Sequence, residues 1–112
     1  MDTISWEQFQ AVDLRVGTII EADKFPEARK PAYKLTVNFG DEIGIKKSSA
    51  QITEHYTTED LVGKQVIGVV NLPDKQIGPF MSECLVTGFY DENEDVILAT
   101  PEDKLPNGKK LC

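Results

Sequence analysis

The sequence predicts an all-β fold, a five-stranded barrel with short helices and terminal extensions. Three observations carry this expectation. Apolar and polar residues alternate over short runs, as strands with one buried face require. Glycine, proline and acidic turn residues separate those runs at short intervals. Helical signals are confined to two brief stretches. The chain has 112 residues, 40% of them hydrophobic, which suits a single domain over residues 1–112 with one modest core.

The elements follow in order. Ser5-Trp6-Glu7-Gln8 has the form of a capping box, so a short helix should run from Trp6 to about Ala11. Leu14 to Phe25 is a long extended run in which Leu14, Val16, Thr18, Ile20 and Ala22 alternate with Arg15, Gly17, Ile19, Glu21 and Asp23. Gly17 predicts a bulge or bend, as a strand shared by two sides of a small barrel needs. Pro26 to Pro31 is a loop.

Tyr33–Phe39 and Ile43–Ser48 should form a hairpin. A three-residue loop, Gly40 to Glu42, or a five-residue loop pairs Val37 with Ile45. It then gathers Tyr33, Leu35, Val37, Phe39, Ile43 and Ile45 on one apolar face. The opposite face carries Lys34, Thr36, Asn38, Gly44, Lys46 and Ser48, with no acid.

Thr58 to Leu61 reads as a helical turn stopped by Gly63. Gln65–Val70 is a strand, Asn71–Pro79 a loop, Met81–Tyr90 a strand, and Asp91–Asp95 an acidic turn into the strand Val96–Ala99. Asn107-Gly108 is a tight turn. Three strands, a helix and two strands make the order of an OB-fold, whose ligands commonly sit on the face of strands two and three.

Composition narrows the function. Acids number 19 and bases 12, a net charge of −7, which argues against a polybasic nucleic-acid binder. The charge is unevenly spread. Lys24 to Lys47 holds six bases and three acids, a net of +3, while Asp91 to Asp103 holds six acids and no base. Cys84 lies in the apolar run Cys84-Leu85-Val86 and reads as an inert buried thiol. Cys112 is the last residue, and the pair suggests no disulfide framework.

His55 is the only histidine, so no histidine-based zinc site can be written. Asp91, Asn93, Asp95 and Glu102 have the spacing of EF-hand ligands. Val96 replaces the required glycine and Pro101 interrupts, so an acidic turn is expected there. No nucleophile elbow, P-loop or dinucleotide fingerprint occurs, and we expect no catalytic residue, metal or cofactor. No apolar run approaches the ~20 residues of a membrane span. Met1 to Gln10 includes Asp2 and Glu7 and lacks a basic or apolar leader region, so a cytoplasmic protein without membrane insertion is expected.

The candidate site residues follow from these patterns. Arg29, Lys30, Lys34, Lys46 and Lys47 form a basic set suited to RNA phosphates or acidic peptide segments. Phe80 and Met81, beside a flexible loop, offer adaptable apolar contacts. Ser82 and Glu83 follow that loop and could line a ligand pocket. A solvated polar face, core packing and a hydrogen-bonded strand start are the alternative readings of these three groups. Trp6 and Phe9 lie on a helix too short to persist alone, so they should dock on the barrel or on a second subunit.

A resemblance sharpens the picture. It rests on Asp13-Leu14-Arg15-Val16-Gly17-Thr18-Ile19, Phe25-Pro26-Glu27-Ala28-Arg29 and the run Glu42 to Thr53. Gly63-Lys64-Gln65-Val66-Ile67, Phe80-Met81-Ser82-Glu83 and Pro106-Asn107-Gly108 complete it. Together, over about residues 6–111, these resemble the CsaA family of bacterial export-related chaperones, in the tRNA-binding-domain superfamily. The resemblance implies an OB-fold homodimer joined through its terminal segments, Trp6 and Phe9 included. It also implies affinity for unfolded or precursor proteins and for the SecA export motor. Superfamily members appended to methionyl- and phenylalanyl-tRNA synthetases bind tRNA without strong sequence preference.

The superfamily loop His-Pro-Asn-Ala-Asp-Lys-Leu is here Phe25-Pro26-Glu27-Ala28-Arg29-Lys30-Pro31, and its Ser-Glu-Gly-Met is here Ser82-Glu83-Cys84-Leu85. These departures point to the chaperone branch. The expected function is a non-enzymatic holdase for export precursors. The alternative is a tRNA-binding protein acting in trans through Lys30, Lys34 and Lys46.

Overall fold

Ser5 opens the first element as its sequence prescribes. In the computed structural model, which describes residues 1–112, Gln8 N–H donates to Ser5 Oγ at 3.0 Å and Ser5 N–H donates to Gln8 Oε1 at 2.8 Å. This capping box starts α1 (Trp6–Ala11). Strand β1 (Leu14–Lys24) follows. Its bulge lies between Ile19 and Glu21, not at Gly17. The extra residue shifts the alternation, so Ile19 and Ala22, three positions apart, both face the core while Ile20 is 39% exposed.

Gly17 has a different task. A Cβ built there would lie 2.7 Å from the Phe39 ring, and one built at Gly68 would also lie 2.7 Å from it. The two glycines clear the space that the fully buried Phe39 fills.

Strand β2 (Tyr33–Asn38) pairs with β1 on one side and with β3 (Ile45–Ala50) on the other. The hairpin register departs from the sequence expectation by one residue. Gly40–Ile43 forms a helical turn, α2, and Gly44 leaves it with φ +86°. The connection is therefore even, Phe39 to Gly44, and Val37 faces Lys46 while Asn38 faces Ile45. Directly opposed residues share a face, so Lys46 and Ser48 join the Val37 side. Ile45 lies on the outer side, 59% exposed, and only Ile43 of the two isoleucines packs against the core.

Helix α3 (Thr58–Leu61) carries a second capping box, made by Thr57 and Asp60. It delivers the fully buried Leu61 to the barrel. Strand β4 (Gln65–Val69) pairs with the first half of β1. The expected loop Asn71–Pro79 contains β5 (Lys75–Ile77), which turns at Gly78-Pro79 into β6 (Phe80–Ser82).

The expected strand Met81–Tyr90 is broken into β6, β7 (Leu85–Val86) and β8 (Gly88–Tyr90). Strand β9 (Val96–Leu98) pairs with β8. The main sheet has the order β3-β2-β1-β4-β7 and curls so that β7 returns to β3. The fold is thus mostly β, a nearly closed five-stranded antiparallel barrel of OB-fold type.

Inside lie Ile19, Leu35, Val37, Phe39, Leu61 and Val66, none more than 1% exposed. Each such side chain contributes about 1.5–3 kcal/mol on leaving water. The barrel closes at one end of the β3–β7 seam. Glu83 N–H donates to the Lys47 carbonyl at 2.7 Å, Lys47 N–H donates to Glu83 Oε1 at 3.0 Å, and Ser48 Oγ donates to the Cys84 carbonyl at 2.9 Å.

The C-terminal residues strap the free edge of β1. Gly108 N–H donates to the Val16 carbonyl at 2.7 Å, Val16 N–H to the Lys109 carbonyl at 2.9 Å, and Leu111 N–H to the Leu14 carbonyl at 2.8 Å. No helix is long and apolar enough to cross a membrane.

Candidate polypeptide-binding face

The loop before β2 starts with Phe25, whose ring is buried. Lys34, on the outer side of β2, holds its Nζ 5.6 Å from the centre of that ring, a cation–π distance. Phe80, on β6, also packs against Phe25, with ring centroids 5.4 Å apart and planes tilted by 59°. The tip of the β5–β6 hairpin approaches Glu27 of the same loop. Met81 stands beside Phe80 and is 41% exposed. Lys34 and Phe80 therefore meet around Phe25. The sequence reading missed Phe25, whose only signal was an aromatic residue immediately before the loop proline.

The basic set does not converge as expected. Lys46 is on the inner side with Val37, half-buried near the barrel end, where its charge acts on Cys84. Lys47 takes its place on the outer side, opposite Thr36. Lys30 lines a separate depression with Glu54, Glu94 and Asp95. Arg29 is exposed on the loop, and none of these five bases forms a salt bridge.

The outer side is also less basic than the hairpin alone suggested. Glu21 of β1 opposes Thr36, and Asp23 opposes Lys34. The acids of β1 thus stand on the same side as the lysines of β2 and β3.

Ser82 and Glu83 are engaged in holding the sheet. Ser82 Oγ accepts the Ser49 N–H at 3.1 Å, and Glu83 accepts the Lys47 N–H. Both side chains satisfy donors on the edge of β3, which has no strand partner there. Cys84 is buried as expected, and burial pushes its thiol up to about 11, with a smaller opposing effect from Ser48. Cys112 is exposed.

His55 lies on the surface and meets Asp91, Nε2 to Oδ2 at 2.7 Å. Asp91 is held below the usual carboxylate range, first by the Asp95 N–H and then by His55. His55, Asp91 and Asp95 bring their ligand atoms within 4.8 Å of one another. Asp91 Oδ1 already accepts the N–H groups of Asn93 and Asp95, the bonding of an acidic turn.

Trp6 and Phe9 pack together with ring centroids 5.3 Å apart, yet α1 has no buried residue and Trp6 is 63% exposed. With Val12, Leu14 and Leu111 they line a groove of about 220 Å³ between the helix and the C-terminal strap. Ile4, Val12 and Leu111 are exposed nearby.

Residues 14–110 match the family model described as "Putative tRNA binding domain". The chain belongs to the tRNA-binding-domain family. Among solved structures it is similar to the chaperone CsaA of Bacillus anthracis, with 48% identity and a TM-score of 0.92 over 99% of this chain and 100% of that one. It is similar to the CsaA chaperone of Picrophilus torridus, with 47% identity and a TM-score of 0.91 over 98% and 100% of the two chains. Among curated proteins it is 36% identical over all 112 residues to a methionine–tRNA ligase of Methanococcus aeolicus. The chain spans only 16% of that ligase's length. The resemblance read from the sequence is thereby borne out.

Proposed function

We propose that this chain is a non-catalytic chaperone that captures exposed segments of unfolded or precursor proteins and assists their export. The observation that carries this is the outer face. Lys34 and Lys47 share it with Glu21 and Asp23, so it offers mixed charges beside Phe80, not a phosphate-binding field. Apolar side chains of a client would lie on Phe80 and the flexible Met81. Acidic groups would meet Lys34. Binding of this kind is reversible and needs no nucleotide. Similarity over full length to CsaA chaperones of the same size supports the same view.

The proposal includes a cytoplasmic homodimer. The exposed apolar surface of Ile4, Trp6, Val12 and Leu111, with Phe9, is where a second copy would bury it. Following the resemblance, clients would pass to the SecA motor. Isothermal titration with a denatured secretory precursor tests the proposal. Saturable binding to the folded protein is expected, and its absence overturns the proposal.

A second reading, tRNA binding in trans, is favoured by one observation, the match of residues 14–110 to the tRNA-binding model. The exposed Arg29 and Lys30, with Lys34, would contact phosphates. Its mark is a steep fall of affinity with salt. Salt-insensitive or absent binding at low ionic strength eliminates it.

A further inference from the structure

The β3–β7 seam is closed at one end only. Its hydrogen bonds run from Lys47 with Glu83 to Ser48 with Cys84 and Ser49 with Ser82. Past that point β3 ends at Ala50 and its chain goes on through Ile52, while the facing chain runs through β7 and β8. β7 is hydrogen-bonded to β4, β8 to β9, and neither to β3. Two strand edges therefore face each other unpaired, and unpaired edges recruit extended chains.

Between them lies a cleft of about 440 Å³ lined by Ala50, Ile52, Leu85, Val86, Phe89 and Tyr90 among others, with no charged residue in its wall. Phe89 and Tyr90 are each 72% exposed, and Leu85 is 50% exposed. The far wall is anchored, because Leu98 N–H donates to Tyr56 Oη at 3.0 Å and His55 holds Asp91.

The surroundings specify the charge of an occupant. Beyond Gln51 and Val96 the cleft adjoins the depression bearing Glu54, Glu94 and Asp95, with Lys30 as its one base. Beyond Tyr90 it adjoins Asp91 and Glu92. Five acids thus stand against Lys30 and against His55, which is already engaged with Asp91. Such a rim repels phosphates and attracts cationic side chains.

We propose that the open seam between β3 and β7–β8 is a second binding site, filled by an extended polypeptide segment that adds as a strand and carries basic residues beside its apolar ones. β3 and β7 approach too closely for a strand to enter between them, so the segment's main chain meets the free N–H and C=O groups of the β8 edge. Its alternate side chains lie on Phe89, Leu85 and Ile52, and its lysines or arginines reach Glu54, Glu92 and Glu94. The site rests on the polypeptide-binding reading above but on a different surface from Lys34 and Phe80.

The test uses a fluorescein-labelled peptide, two lysines followed by alternating valine and threonine, read by anisotropy and by amide chemical shifts. Binding is expected to shift Gln51, Ile52, Val86 and Phe89. Methylation of alternate peptide nitrogens removes the strand donors and should weaken binding roughly tenfold or more. Replacing the lysines by glutamates, or the substitution Phe89→Lys at an exposed position, should do the same. Lys34→Glu should leave this peptide's affinity unchanged.

Equal affinity of the methylated peptide overturns strand addition. Shifts at Lys34, Phe25 and Phe80 in place of the seam overturn the second site while leaving the first intact. Loss of precursor binding in Lys34→Glu, with this peptide still bound at the seam, shows the two surfaces to be separate.

Discussion

Glu83 and Lys47 are joined by two hydrogen bonds, Glu83 N–H to the Lys47 carbonyl at 2.7 Å and Lys47 N–H to Glu83 Oε1 at 3.0 Å. One is main chain and the other borrows a side chain because the strands stop pairing there. Glu83→Ala should therefore cost about 1 kcal/mol by removing an acceptor from a strand edge. Glu83→Gln keeps an accepting oxygen and should lose less. Urea midpoints at constant m-value distinguish them. An unchanged midpoint in Glu83→Ala would show that the side-chain bond contributes nothing.

Gly17 faces the buried ring of Phe39, so Gly17→Ala should destabilise by about 1–3 kcal/mol through overpacking. Adding Phe39→Leu should recover part of that loss, because the two residues are in contact and do not act additively. Thermal unfolding of the single and double variants measures the coupling. Strict additivity would mean that the glycine serves another purpose.

Cys84 and Cys112 should differ in reactivity. The Cys84 thiol is buried and pushed up to about 11, and the thiolate is the reactive form. One thiol, Cys112, should label in the native protein near neutral pH and both after unfolding. A second consequence concerns alkali. The unfolded thiol ionises first, from an ordinary value of 9.0, so the unfolded state loses its proton before the folded one. Stability from this group is present below that value and falls as pH rises from 9 toward 11. Cys84→Ala should flatten this part of the stability–pH profile, and an unchanged profile would refute the assignment.

Trp6 is exposed on a helix with no buried residue. If a second copy covers it, Trp6→Glu should shift the protein from dimer to monomer in light scattering while leaving the barrel folded by circular dichroism. A wild-type monomer at micromolar concentration would overturn the dimer.

Much of the fold could be read from local chemistry. The Ser5–Gln8 cap, the helical turn Thr58–Leu61, the strand at Gln65 and the turn at Asn107 each follow from a few adjacent residues. The failures are those of relations at a distance. The β2–β3 register turned on whether Gly40–Ile43 forms a turn of helix. Two glycines flanking Asp41-Glu42-Ile43 were the available signal, and Gly44 with its positive φ completes the stop. That one residue of slip moved Lys46 inward and Ile45 outward.

Gly17 looked like a bulge because its partner Phe39 is 22 positions away. Glu21 and Asp23 next to Thr36 and Lys34 emerge only from strand pairing, and they change the charge of the candidate face. Phe80 likewise comes from 46 positions beyond Lys34 to meet it around Phe25.

The central proposal is that the Phe25–Lys34–Phe80 face holds polypeptide. The most direct measurement is the affinity of a labelled, unfolded secretory precursor for the wild type and for a Lys34→Glu, Phe80→Ala double variant. A parallel titration uses bulk tRNA over a range of salt. The expected result is precursor binding weakened roughly tenfold or more in the variant, with its unfolding transition still cooperative and tRNA binding weak throughout. Unchanged precursor affinity in the variant, beside tight tRNA binding that falls steeply with salt, would contradict it.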